Sequence, residues 1–393
     1  MAFIRNFFIS IVIAIVAITF YPGLEPEIDF TAFEVTPARP LEGKLALNER
    51  LNNAEKLFVD EIHSPECVVK HKNELYMGVQ GGHILKLSNG KLLPVAKIGQ
   101  TCYGFQYGKV CGRPLGLKFD RAGSLYAADA FNGIFKINVT SGQTEQLISL
   151  DVEIDGAKPL VPNSLAVASD GMIYWSDSST HYNLYDGVFD CLTSGSGRLI
   201  QYNPKTKQNK VLIPNVHFAN GVELSADESF VVVAETMRNR VRRYHLRGPK
   251  QGTSDVFIDG LPGMPDNVKR DSKGNFLVSI VVAVDEYTPQ ILQIIGPFPN
   301  IRKFVARLLH LVEKIPSEQV RHVVGHFDSV SFVRPDRYSL LIISHQGEIV
   351  DALHSIDGSL KGSSDVEELN GAYYFGSYSA KHLAKVPLSK TKA

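Results

Sequence analysis

The sequence predicts an all-β chain: a six-bladed β-propeller carried on an N-terminal transmembrane helix, with a helical insertion in blade five. The first observation is a repeat, in which a turn rich in Gly, Asp or Asn leads into a short apolar strand. Its copies lie at residues 73–78, 122–127, 170–175, 227–232, 273–278 and 370–375. Taking Leu75, Leu125, Ile173, Phe230, Phe276 and Tyr373 as equivalent gives spacings of 50, 48, 57, 46 and 97 residues. Short strands recurring at such a period are the mark of propeller blades. The second observation is a long uncharged run near the N-terminus.

That run covers residues 6–24, close to the roughly 20 apolar residues a membrane-spanning helix needs. Arg5 precedes it and Glu25, Glu27 and Asp29 follow, so the positive-inside rule leaves residues 1–5 in the cytosol. The expectation is a single-pass type II protein with its body lumenal or extracellular. A cleaved signal peptide is the alternative, but a typical h-region is shorter and no good small-x-small site follows the run. Asn138-Val139-Thr140 is a sequon usable in that compartment.

Residues 25–55 hold Pro, Glu and Asn with weak periodicity and read as a neck or linker before a propeller at 56–393. The 97-residue gap hides either a seventh blade or an insertion. Residues 287–323 break the β pattern, and 301–315 carry apolar residues at helical spacing between Pro299 and Pro316, which favours insertion. Strand-like 338–344 and 348–354 then finish blade five. The insertion could lid the channel, or face the membrane through Ile294, Ile295, Phe298 and Phe304. Blade six ends near Pro387 one strand short. Residues 57–62 could supply that strand and close the ring, removing exposed sheet edges.

The 44% hydrophobic and 21% charged contents are globular values. Lys+Arg and Asp+Glu are both 41, so no global field draws the chain to nucleic acid. The cysteines are Cys67, Cys102, Cys111 and Cys191, without a C-x-x-C pair, which argues against a zinc ribbon or thioredoxin-type site. Cys102 and Cys111 bracket a loop rich in Gly and Tyr that suits a small disulfide in an oxidising compartment.

In a propeller the first strand of each blade lines the axis. Those strands open with Glu66, Arg113-Pro114-Leu115-Gly116, Asn163, Asn220, Asp266-Asn267 and Ser364-Asp365. Carboxylates converging where water is scarce are costly unless paired. Calcium, which takes about 6–8 oxygen ligands, resolves that cost: Glu66, Asn163, Asn220, Asp266 and Asn267 would supply five. Magnesium ranks second, and zinc would want His and Cys. Taken singly, each is a turn residue, and Asn220-Gly221 alone reads as a hairpin. Their repetition at equivalent blade positions lifts them as a set.

Three motifs, at residues 111–117 (CGRPLGL), 220–225 (NGVELS) and 261–267 (LPGMPDN), resemble the strictosidine synthase-like family, and within it the adipocyte plasma membrane-associated group. The resemblance implies a calcium-dependent propeller related to paraoxonases and gluconolactonase-type lactonases. It also implies the same five metal ligands and a bonded Cys102–Cys111 pair. Two departures narrow the chemistry. Ser364 stands where strictosidine synthase has its glutamate, which argues against amine–aldehyde condensation. The paraoxonase histidine position falls on or next to Leu115. What survives is hydrolysis of a small ester or lactone, with calcium polarising the carbonyl or lowering the pKa of water. Asp266 or His217 would act as base, His217 being otherwise a strand-end histidine. The competing expectation is a cell-surface binding propeller in which calcium only holds the blades together.

Overall fold

The computed structural model describes residues 1–102, 107–284, 290–315, 324–327 and 335–391. Parts of the expected insertion, at 287–289 and 316–323, lie outside the described residues. Six four-stranded antiparallel sheets form the propeller. The second strands Leu125–Asp129, Ile173–Asp177 and Phe230–Glu235 are buried at every residue, which is why each copy of the repeat reads as an apolar run. The core lies between blades: Phe230 and Val232 of blade four pack with Phe276, Ile280 and Leu341 of blade five.

The ring closes by pairing Glu55–Leu57 with Leu383–Pro387, in the register Lys56↔Ala384. The closing strand is thus earlier and shorter than the expected 57–62. Phe58 and Asp60 have φ of 56° and 62°, a left-handed backbone that cannot continue a strand.

The apolar helix runs Ala2–Phe20 rather than 6–24. It stops where Tyr21 turns extended and Gly23 takes a φ of 76°. Residues 31–53 do not hang free as a linker. The Phe33 amide donates to the Gly296 carbonyl at 3.1 Å, and the Arg39 amide to Gly260 at 2.9 Å. Arg50 forks onto Asp351 with two 2.9 Å bonds, and Leu51 is wholly buried. Isolated bonds of this kind leave no period in a sequence.

Blade five is split as expected. Between its strands Phe276–Ala283 and Tyr338–Ile343 lie the helices Ile291–Ile295 and Pro299–Glu313. Proline occupies the first turn of the longer helix, where its missing N–H costs nothing.

Candidate metal centre

Five of the six inner strands carry a register shift near their start. The shifts fall at Pro114/Gly116, Pro162/Leu165, Ala219/Val222, Pro265/Val268 and Ser363/Asp365. A bulge leaves one residue out of the ladder and re-aims its side chain. Asn163, Asn220, Asp266 and Asn267 all sit within these shifts. These four residues are therefore turned by the backbone itself, whereas Glu66 precedes an inner strand without a shift.

Glu66, Asn163, Asn220 and Asp266 line one cavity of about 280 Å³. Their exposures are only 2–6%. The rest of its wall is largely apolar, with Leu184, Phe218, Met237, Met264 and Val281 among the lining residues. Asn163 anchors its amide nitrogen by donating to Ser178 Oγ at 3.1 Å. Its Oδ1 has no hydrogen-bond partner among the described residues, and the same holds for Oδ1 of Asn220 and of Asp266. A buried acceptor left unpaired costs about 1–3 kcal/mol. Three around one cavity make a cradle that a hard cation fits. No group of three His, Cys, Asp or Glu side chains able to hold a metal occurs among the described residues, so a cation here would depend on the amide oxygens.

Burial and the carboxylates of Glu66 and Asp365 hold the Asp266 carboxyl well above the ordinary range. Burial also pushes Glu66 up to about 7, although the Arg113 guanidinium draws it down. Arg113 Nη2 lies 2.9 Å from Glu66 Oε2, and Nη1 donates to the Ser64 carbonyl at 2.8 Å. Ser364 Oγ donates to the Glu66 backbone carbonyl at 3.0 Å. Deeper in the ring, Lys269 Nζ sits 3.3 Å from Asp365 and donates to the Val68 carbonyl at 2.9 Å.

Two expected site residues are placed elsewhere. Asn267 is buried but is not among the cavity-lining residues. His217 is also off the cavity wall. It is wholly buried, edge-on to the Phe33 ring at 4.8 Å. Burial and the nearby Arg238 push it down to about 3, so it stays neutral in the fold. Conversely, Arg113 had no role in the sequence reading, although it stands just before blade two's inner strand, Pro114–Phe119, and lies in a motif already singled out. A charge at an axial position was the available signal. Cys102 and Cys111 are bonded, while Cys67 and Cys191 are free.

A strictosidine synthase family model matches residues 163–249, and a strictosidine synthase-like N-terminal model matches 43–87. The adipocyte plasma membrane-associated protein hemomucin of Drosophila melanogaster is 36% identical over 408 residues, covering 99% of this chain and 69% of its own. Its counterpart in Gallus gallus is 32% identical over 352 residues, covering 88% and 81%. Among solved structures, the gluconolactonase XC5397 from Xanthomonas campestris superposes with a TM-score of 0.55. Its identity is 14%, over 92% of this chain and 99% of that one, a likeness of fold. The chain is a member of the strictosidine synthase-like family, in the branch of the adipocyte plasma membrane-associated proteins.

Proposed function

We propose that the chain is a membrane-anchored, calcium-dependent hydrolase of small esters or lactones, with its propeller on the lumenal or extracellular side. The observation that carries this reading is the set of buried, partnerless oxygens of Asn163, Asn220 and Asp266 facing an apolar-walled cavity. With Glu66 they would hold calcium. When bound, the ion supplies Lewis-acid polarisation of a carbonyl oxygen. Arg113 fixes the Glu66 carboxylate, and the bulge in blade five aims Asp266. Asp266 would help hold the ion, and its carboxylate would be the group placed to accept a proton from water. Phe218, Met237 and Val281 exclude bulk water and receive the apolar part of the substrate.

The Arg113–Glu66 pair favours a second reading, because it already neutralises one of the two carboxylates. In that case calcium staples the blades and the cavity only binds. The deciding experiment titrates detergent-solubilised full-length protein, stripped of metal, with calcium. Hydrolysis of phenyl acetate and a simple γ-lactone is followed beside thermal stability. Turnover that appears with calcium and is lost in Asp266→Asn supports the hydrolase. A rise in melting temperature without turnover rejects it for the binding protein.

A further inference from the structure

The helix Pro299–Glu313 is inside out for a helix in water. Arg302 and Arg307 are 0% and 4% exposed, whereas Ile301, Leu308, Leu311 and Ile315, the last just beyond its end, are 38–48% exposed. Their spacing puts these aliphatic residues along one face. Ile291, Ile294 and Phe298, at 54–58% exposure, extend the patch into the preceding turn. A helix seated on a soluble body shows the reverse pattern, its apolar stripe inward.

The buried arginines show what the helix is fastened to. Arg302 Nη1 donates to the carbonyls of Leu192 and Thr193 at 2.7 and 3.0 Å, holding the helix to blade three. Arg307 Nη1 donates to the carbonyls of Ile18, Thr19 and Tyr21 at 3.2, 3.0 and 3.0 Å. These are carbonyls at the end of the helix Ala2–Phe20, where intrahelical donors run out. His310 Nε2 adds a contact of 3.0 Å to Glu25 just beyond that end. The N-terminal helix is itself almost bare, Thr19 being its buried residue. The inverted helix is thus pinned at the level where the anchor would leave the hydrocarbon.

We infer that residues 291–315 lie on the bilayer as a second, interfacial membrane contact, with the face of Ile294, Phe298, Ile301, Leu308 and Leu311 sunk at the headgroup–acyl boundary. The inference rests on reading residues 2–20 as the anchor. The occupant is a lipid surface, because the exposed face adjoins the one helix among the described residues that is long and apolar enough to span, and Arg302 and Arg307 are turned to protein carbonyls. Two attachments to the bilayer, rather than one, fix the tilt and rotation of the propeller above the membrane.

The chain has one tryptophan, Trp175, which is wholly buried in blade three and serves as an internal standard. Full-length Phe298→Trp and Ile301→Trp are reconstituted in phosphatidylcholine vesicles containing lipid brominated on the acyl chain near the headgroup. Val256→Trp on the outer strand of blade four is the solvent control, and Val12→Trp reports the anchor. An interfacial helix buries its apolar face about 5–10 Å deep, so the new emission at 298 and 301 should fall by about half. The control and Trp175 should be unchanged. Unchanged emission at both 298 and 301 overturns the inference, whether the face is then open to water or covered by a second copy or a protein partner. Val12→Trp separates the failures. Quenching there alone leaves the anchor standing, and its absence removes the anchor as well.

Discussion

At the scale of single residues, Arg113 and Asp266 pull the axial charge in opposite directions. Asp266 has its folded pKa raised by burial, Glu66 and Asp365. In metal-free protein its contribution to stability is greatest below the ordinary carboxylate range and is lost as pH rises through the folded value. A cation reverses that loss. Arg113 performs the same service for Glu66 without metal. Arg113→Met should therefore cost about 3–5 kcal/mol at a pH above 7, the usual result of orphaning a buried charge. The cost should shrink at lower pH, because Glu66, pushed up to about 7 even beside Arg113 and higher without it, then takes a proton instead. Calcium should recover part of the loss, which thermal unfolding with and without chelator will show. A variant as stable as the parent without calcium would mean that Glu66 does not need the guanidinium.

His354 has the opposite sign. Burial, with Arg337 nearby, pushes it down from 6.5 to about 4, and Ser339 Oγ sits 2.8 Å from its Nδ1. Its stabilising contribution is complete above the unfolded value and disappears as pH falls through the folded one. The parent's advantage over His354→Gln should narrow by about 3 kcal/mol across that window. Urea unfolding of both proteins from neutral pH to about pH 4 measures this. A constant difference would place the imidazole in water.

At the scale of elements, the inner strands decide the site. Gly221 of blade four faces blade five so closely that an added Cβ would stand 2.6 Å from the Asp266 carbonyl oxygen. Gly116 of blade two would meet the Asn163 carbonyl oxygen at 2.5 Å. Close approach of backbone to backbone lets each bulge present its side chain to the axis. Gly221→Ala should destabilise by about 1–3 kcal/mol through overpacking. It should also weaken the calcium response by shifting Asp266. Calorimetric titration with calcium tests the second effect, and unaltered affinity would mean that the blade spacing does not set the ligand.

Much of this layer was legible in the sequence. The repeat located the blades because the second strands are buried along most or all of their length, and Glu66, Asn163, Asn220 and Asp266, which recur at one blade position, line one cavity. Asn267 and His217 lie off the cavity wall for a common reason. Their neighbours in the chain face the cavity, but a bulge or strand end decides which of two adjacent side chains does so, and no period records it. Arg113 was passed over because cationic partners follow no ligand pattern. The closing strand lies at Glu55–Leu57 because Phe58 is left-handed, and Phe is not a residue type that announces such a backbone.

At the scale of the whole molecule, the apolar N-terminal helix and the propeller are joined through Arg307 and Arg302 of the helix Pro299–Glu313. Asn138 lies exposed in the turn between the third and fourth strands of blade two. If the propeller is lumenal or extracellular, the sequon should carry a glycan. Endoglycosidase treatment should then increase gel mobility in the parent and leave Asn138→Gln unchanged. A parent that does not shift would place the body in the cytosol or show the sequon unused.

The strap formed by residues 31–53 gives the ring a mechanical property. The strand that completes blade six is the one nearest the N-terminal helix in sequence, so a pull on that helix would be expected to unzip the seam at Glu55–Leu57. Before it arrives there, the pull must break the Phe33 and Arg39 backbone bonds to Gly296 and Gly260, then the Arg50 fork on Asp351 and the seat of Leu51. Load is shed in steps onto blades four and five, as a climber's rope is belayed through successive pitons, and the seam is the last fastening to feel it.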